Sequence, residues 1–261
     1  MNRYLLFSLA AIMISLQDAI AQSVESKTDS TITVMMTCDK LPAPQGLLFT
    51  IPGEGLFLAD GNTFYSLDEK RCTELDKVRF KHNIPIEQII VSDGRFLLKS
   101  QSFVMQIDQS DTKIVTELDT EDFVIFSGRN NFFNLVMPED NDSCGWYRCN
   151  LSNQQMDCVL RTNEFINNII EIGEQTLCIT LHNIYLISNG ECSLVTTIEE
   201  GIEDATLTSQ GLLFCTSSSL YLWDGSEVIR HLYDIEVHSI YADDNIVYLL
   251  TMNGQILRIS L

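Results

Sequence analysis

Leu220-Tyr221-Leu222-Trp223-Asp224 decides the fold, because the chain says nearly the same thing five more times. Phe64-Tyr65-Ser66-Leu67-Asp68, Val104-Met105-Gln106-Ile107-Asp108, Trp146-Tyr147-Arg148-Cys149-Asn150, Ile184-Tyr185-Leu186-Ile187-Ser188 and Ile256-Leu257-Arg258-Ile259-Ser260 share its form. Each has an apolar first position, an apolar fourth position and a small polar residue at its end. Their starts, at 64, 104, 146, 184, 220 and 256, lie 40, 42, 38, 36 and 36 residues apart. A near-constant interval between strand-like segments is the mark of a repeat architecture.

Working outward, a more apolar run precedes each pentapeptide: Leu56–Asp60, Arg95–Lys99, Phe132–Val136, Thr176–Thr180, Leu212–Thr216 and Ile246–Leu250. These runs barely alternate, as expected of strands buried on both faces. Another set stands before them: Gly46–Ile51, Glu87–Ser92, Asp122–Ser127, Asn167–Ile172, Ile202–Leu207 and Val237–Ala242. Turn formers such as Ser92-Asp93-Gly94 join the two sets. After the first five pentapeptides comes a fourth run: Thr73–Val78, Lys113–Leu118, Met156–Arg161, Ser193–Ile198 and Glu227–Leu232. The unit is therefore four strands, A to D from inside to outside, and the sequence predicts an all-β, six-bladed β-propeller.

The sixth unit stops after its third strand at Leu261. The orphan run Ile32–Thr37 supplies the missing outer strand and is expected to pair with Ile256–Ser260, closing the ring. Closure removes the open edges that invite aggregation.

Residues 1–21 read as a secretory signal peptide: Arg3 is followed by the apolar run Tyr4–Leu16 and the small-residue site Ala19-Ile20-Ala21. Residues 22–31 are polar and expected to be disordered, and residues 32–261 form the propeller domain. The expected location is periplasmic or extracellular. The 240 residues after the signal, 261 less 21, keep the net charge of −20, because Arg3 and Asp18 leave together. That charge argues against nucleic acid and anionic membrane, which need clustered Lys and Arg. No segment after the signal is apolar enough for membrane insertion.

The eight cysteines permit disulfides without requiring them. Cys149 and Cys158 flank a turn centred between Asn153 and Gln154, which would set them opposite each other as a bridge. The four histidines are scattered, and no Cys-x-x-Cys spacing occurs.

The likeness of residues 32–261 is to six-bladed β-propellers in general, without the motif of a named family. Trp223-Asp224 falls where WD40 repeats carry their signature dipeptide, but it occurs once and without the matching Gly-His. The kelch di-glycine and the Tyr-Trp-Thr-Asp of receptor-type propellers are missing. The polar residues that begin the inner strands are Glu87, Asp122, Asn167 or Asn168, Asp204 and His238. This set resembles the Glu/Asn/Asp clusters of lactonase and esterase propellers. The resemblance implies a calcium site of Glu87, Asp122, Asn168 and Asp204 at the channel mouth, polarising a carbonyl with His238 as general base.

Two further stretches map to the face bearing the D–A and B–C connections. Met137–Gly145, with Glu139, Asp140 and Asp142, is about five residues longer than its counterparts and is a candidate partner-binding protrusion. Lys77–His82, with Arg79 and Lys81 around Phe80, is the one basic patch. Neither Gly-x-Ser-x-Gly nor a phosphate-cradling or dinucleotide motif is present. The sequence thus favours an exported, non-catalytic module binding a protein or glycan through this face. The alternatives are a calcium-dependent hydrolase or a structural subunit of an envelope assembly, and the oligomeric state is left open.

Overall fold

The computed structural model describes residues 32–41, 46–60, 63–68, 71–74, 85–108, 111–139, 143–225, 229–243 and 245–261. The expected signal segment, residues 22–31, Arg79, Lys81, Asp140 and Asp142 lie outside them.

Six four-stranded antiparallel sheets form the propeller. Blade one holds β2 (Leu47–Ile51), β3 (Gly55–Asp60), β4 (Thr63–Asp68) and β5 (Arg71–Glu74). Blade two holds β6 (Gln88–Ser92), β7 (Arg95–Ser100), β8 (Phe103–Asp108) and β9 (Asp111–Glu117). Blade three holds β10 (Val124–Phe126), β11 (Phe132–Glu139), β12 (Ser143–Asn150) and β13 (Met156–Thr162). Blade four holds β14 (Ile166–Ile172), β15 (Gln175–Thr180), β16 (Asn183–Ser188) and β17 (Glu191–Thr197). Blade five holds β18 (Asp204–Thr208), β19 (Gly211–Cys215), β20 (Leu220–Trp223) and β21 (Ile229–Tyr233). Blade six holds β22 (Val237–Asp243), β23 (Ile246–Thr251) and β24 (Gln255–Ser260), and its outer strand is β1 (Ile32–Thr37).

The ring closes as the repeat count requires. β1 lies antiparallel to β24, with Ile32 opposite Ile259 and Thr37 opposite Gln255. Its equivalence to the other outer strands shows in a shared irregularity. Where the C and D strands pair, one extra residue bulges from strand D: Val115, Val159, Val195 and Leu232 in blades two to five. In β1 the extra residue is Met35. Such a bulge increases local twist, and each one lies opposite the first residue of the pentapeptide repeat or beside it.

The repeat's apolar positions are spent between blades. Phe64, Val104, Trp146, Ile184, Leu220 and Ile256, its first residues, are all buried. Six hydrophobic clusters occupy the six joints between neighbouring blades. Burying a single Leu or Phe side chain contributes about 1.5–3 kcal/mol, so each joint is a core in its own right. The joint of blades six and one contains Met35 and Leu41, and thus depends on the N-terminal strand.

Candidate functional site

The inner strands surround a central cavity of about 750 Å³. Strand A pairs only with strand B of its own sheet, so its inner edge has backbone groups to satisfy. Polar side chains perform this from blade to blade. Facing Lys99, Val136, Ile179, Cys215 and Leu250 of the B strands, five A-strand residues share one register: Gln88, Val124, Asn168, Asp204 and Ser239. The Gln88 amide brackets Ile125 of the next blade: Nε2 donates to the Ile125 carbonyl at 2.7 Å, and the Ile125 amide donates to Oε1 at 2.9 Å. Asn168 Nδ2 donates to the Ala205 carbonyl at 2.5 Å. Asp204 Oδ2 accepts the Ile240 amide at 2.8 Å. Ile125, Ala205 and Ile240 share a register, each directly after that position in its own strand.

Asp204 is the most perturbed acid on the channel. Burial raises its pKa to about 6, against the partial relief of the Ile240 and Ala205 amides, the Asn168 amide and the field of His238. Tyr241, on the same wall, is pushed up to about 12, first by burial and then by Asp204. Nearer the A–B turns, Glu171 lines the cavity with its side chain only 5% exposed. It accepts Arg148 Nη2 at 3.0 Å and Asn134 Nδ2 at 3.1 Å. Asn134 in turn accepts the Trp146 indole N–H at 2.9 Å. Gln88, Asn168, Asp204 and Glu171 thus each commit hydrogen bonds to a neighbouring blade.

That geometry spreads the expected metal set over two rings of positions. Glu87 and Asp204 are not equivalent: Gln88 is opposite Lys99 and Asp204 opposite Cys215, and the Glu87 and Glu203 amides donate to those same partners. Glu87 therefore aligns with Glu203, and in the bulged A strands of blades four and six with Asn167 and His238. A one-residue slip had merged two rings. Asn168, Asp204 and His238 line the channel, whereas Glu87 and Asp122 stand outside its lining. The Glu87 carboxylate is paired with Lys99 Nζ and accepts the Gln101 amide at 3.0 Å, so its pKa is lowered, chiefly by the Lys99 hydrogen bond. Among the described residues no three His, Cys, Asp or Glu side chains are grouped to hold a metal ion.

The hairpin expected to set Cys149 opposite Cys158 takes a different register. The turn is centred one residue earlier, between Ser152 and Asn153, so Cys149 faces Met156 and Cys158 faces Tyr147. Cys149 is buried, Cys158 is exposed, and both are free thiols.

On the D–A and B–C face the long third-blade segment is a longer hairpin. The ladder continues through Met137 opposite Gly145, Pro138 opposite Cys144 and Glu139 opposite Ser143. Glu139 accepts the Tyr147 hydroxyl and Arg161 Nε, the latter at 2.6 Å, which hold its pKa below the usual carboxylate range. Gly145 makes room for this: a Cβ there would stand 2.6 Å from Glu139 Oε1. Of the expected partner-binding residues, Glu139 thus fastens the hairpin.

The same face exposes three large apolar side chains that the strand pattern passed over: Phe165 at 59%, Leu181 at 44% and Met252 at 54%. Phe165 sits on the D–A connection into blade four. Leu181 and Met252 occupy one register position, directly after Thr180 and Thr251 at the ends of their B strands. Glu164 ties the first two together, accepting Thr180 Oγ1 and, at 2.7 Å, Asn183 Nδ2. The signal available in the sequence was an aromatic or aliphatic residue standing in a connection. Beside Phe165 lies a pocket of about 310 Å³ over blade three, walled by Phe123, Val136, Met137, Pro138 and Cys144.

No protein-family model matches the chain, and no curated protein matches it as a relative. Solved structures do resemble it. The catalytically inactive virginiamycin B lyase from Staphylococcus aureus with quinupristin superposes at a TM-score of 0.55 and 12% identity, over 85% of this chain and 83% of that one. The extracellular domain of a hybrid two-component system from B. thetaiotaomicron gives 0.55 and 13%, over 88% of this chain and 39% of that one. PorZ, a surface component of the type-IX secretion system of Porphyromonas gingivalis, gives 0.50 and 12%, over 80% of this chain. The chain spans 36% of the length of PorZ. At these identities the likeness is one of fold.

Proposed function

We propose that the protein is an exported, non-catalytic β-propeller module that recognises a protein partner through its D–A and B–C face. The observation that carries this reading is the exposure of Phe165, Leu181 and Met252 on that one face. Exposed apolar groups gathered on a loop face mark interaction surfaces. The remaining large exposed apolar residues, Val34, Ile114, Met156, Val159 and Leu194, all lie on outer strands and are spread around the rim. Apolar contact also favours a protein over a glycan, whose recognition needs many polar partners. Similar folds in a secretion-system surface component and in a sensor's extracellular domain fit a binding role. Among the described residues no helix is long and apolar enough to cross a membrane.

Site-specific photo-crosslinking in the native cell tests the reading. A benzophenone side chain at position 165, 181 or 252 should trap one defined protein, and the same group at rim position 194 should not. Trapping only from the rim, or none from the face, would sink it.

A further inference from the structure

We infer that the pocket beside Phe165 receives an apolar side chain from a basic segment of the protein partner, whose flanking Lys or Arg is met by Glu121 and Asp122. This rests on the reading that the D–A and B–C face binds a protein, and names the chemistry of the contact.

The pocket is a product of the third-blade insertion. Met137, Pro138 and Cys144 form one wall, and all three belong to the extended hairpin that the other blades lack. Glu139, Tyr147 and Arg161 fasten that hairpin, so the wall is in place before anything binds. A preformed site spares a partner part of the ordering cost of association. Phe123 and Phe165 supply aromatic surface, and the volume of about 310 Å³ suits one large side chain rather than a cofactor.

The charge around it selects the partner's sign. Lys99 lies on the floor, but its ammonium is paired with Glu87 and sits 4.9 Å above the Phe123 ring. It therefore leaves the rim acids Glu121 and Asp122 uncompensated; both are exposed, and neither has an ion-pair partner among the described residues. The chain as a whole carries −20, which repels acidic segments over a longer range. An apolar socket with an acidic rim is complementary to an apolar anchor flanked by cations.

The test selects a phage-displayed random peptide library on the purified protein and measures the winners as labelled synthetic peptides by fluorescence anisotropy. The expected consensus is a large apolar residue flanked by Lys or Arg. Binding should weaken by at least about tenfold in E121K/D122K and in Phe165→Ala, and also on adding salt, since rim charges are screened. Retained circular dichroism and melting temperature show that these surface variants fold. An acidic consensus, no enrichment, or binding indifferent to E121K/D122K overturns the inference. Peptides that bind but crosslink at positions 181 and 252 alone overturn the pocket assignment and leave the face reading standing. Failure of face crosslinking in the cell removes the reading itself.

Discussion

The carboxylate of Asp204 in blade five accepts the backbone amide of Ile240 in blade six at 2.8 Å, and burial keeps that carboxyl far more willing to hold a proton than an ordinary aspartate. Its pKa of about 6 in the fold, against 3.8 for the free side chain, fixes the sign of a pH effect. The folded state binds the proton more tightly, so this group's contribution is fully present below about pH 4 and is lost as pH rises through 6. The loss is on the order of 2–3 kcal/mol. Glu87 and Glu139 act oppositely and lower down, since their depressed pKa values favour the fold until acid protonates them. Melting temperature should therefore fall between pH 5 and pH 7, and Asp204→Asn should flatten that slope. An unchanged slope in the variant would refute the assignment.

Gln88 serves both backbone groups of Ile125, so its loss should cost more than one ordinary hydrogen bond. Gln88→Met preserves length and leaves an amide and a carbonyl unpartnered at the inner edge of β10. The expected destabilisation is about 2–4 kcal/mol, read as a lower urea midpoint with unchanged slope. Ser239→Ala, at the same register in blade six, is the control and should cost less.

Val34 and Met35 are adjacent in β1, yet the bulge puts one outside and the other in the core of the closing joint. Val34→Asp should change stability by no more than about 0.5 kcal/mol. Met35→Asp buries a charge where blades six and one meet and should cost more than about 3 kcal/mol. It should also release β1 from β24 and bare an edge, giving rapid amide exchange at Ile256 and Arg258, which alternate with the β23-facing amides, and aggregation on warming. Equal behaviour of the two variants would mean that β1 is not the closing strand.

The sequence made the ring legible because the burial of each blade depends on a period that local side chains repeat. The first residues of the pentapeptides are apolar in all six blades, and all six are buried. The bounds of Ile32–Thr37 and its pairing with Ile256–Ser260 followed from one missing strand. The channel was less legible, because the side chains at strand starts depend on register, which a bulge of one residue changes. Bulges at Asn167 and His238 moved the polar ring by one position, and Glu87 fell out of it into a pair with Lys99. Phe165, Leu181 and Met252 carried no periodic signal, since connections need no alternation.

The thiols offer a last separation. Cys158 and Cys192 are exposed on outer strands, whereas Cys144, Cys149, Cys178 and Cys215 are buried. Burial pushes Cys149, Cys178 and Cys215 up to about 12, and raises Cys144 as well. Only the thiolate attacks alkylating or disulfide reagents, so exclusion and protonation act together on these four. In the native protein Cys158 and Cys192 should label fast and the buried four should wait for unfolding, with a rate that tracks urea concentration. Because Cys149 faces Met156 rather than Cys158, peptide mapping without reductant should recover the two in separate peptides. A Cys149–Cys158 cross-linked peptide would show that the hairpin register is shifted by two residues.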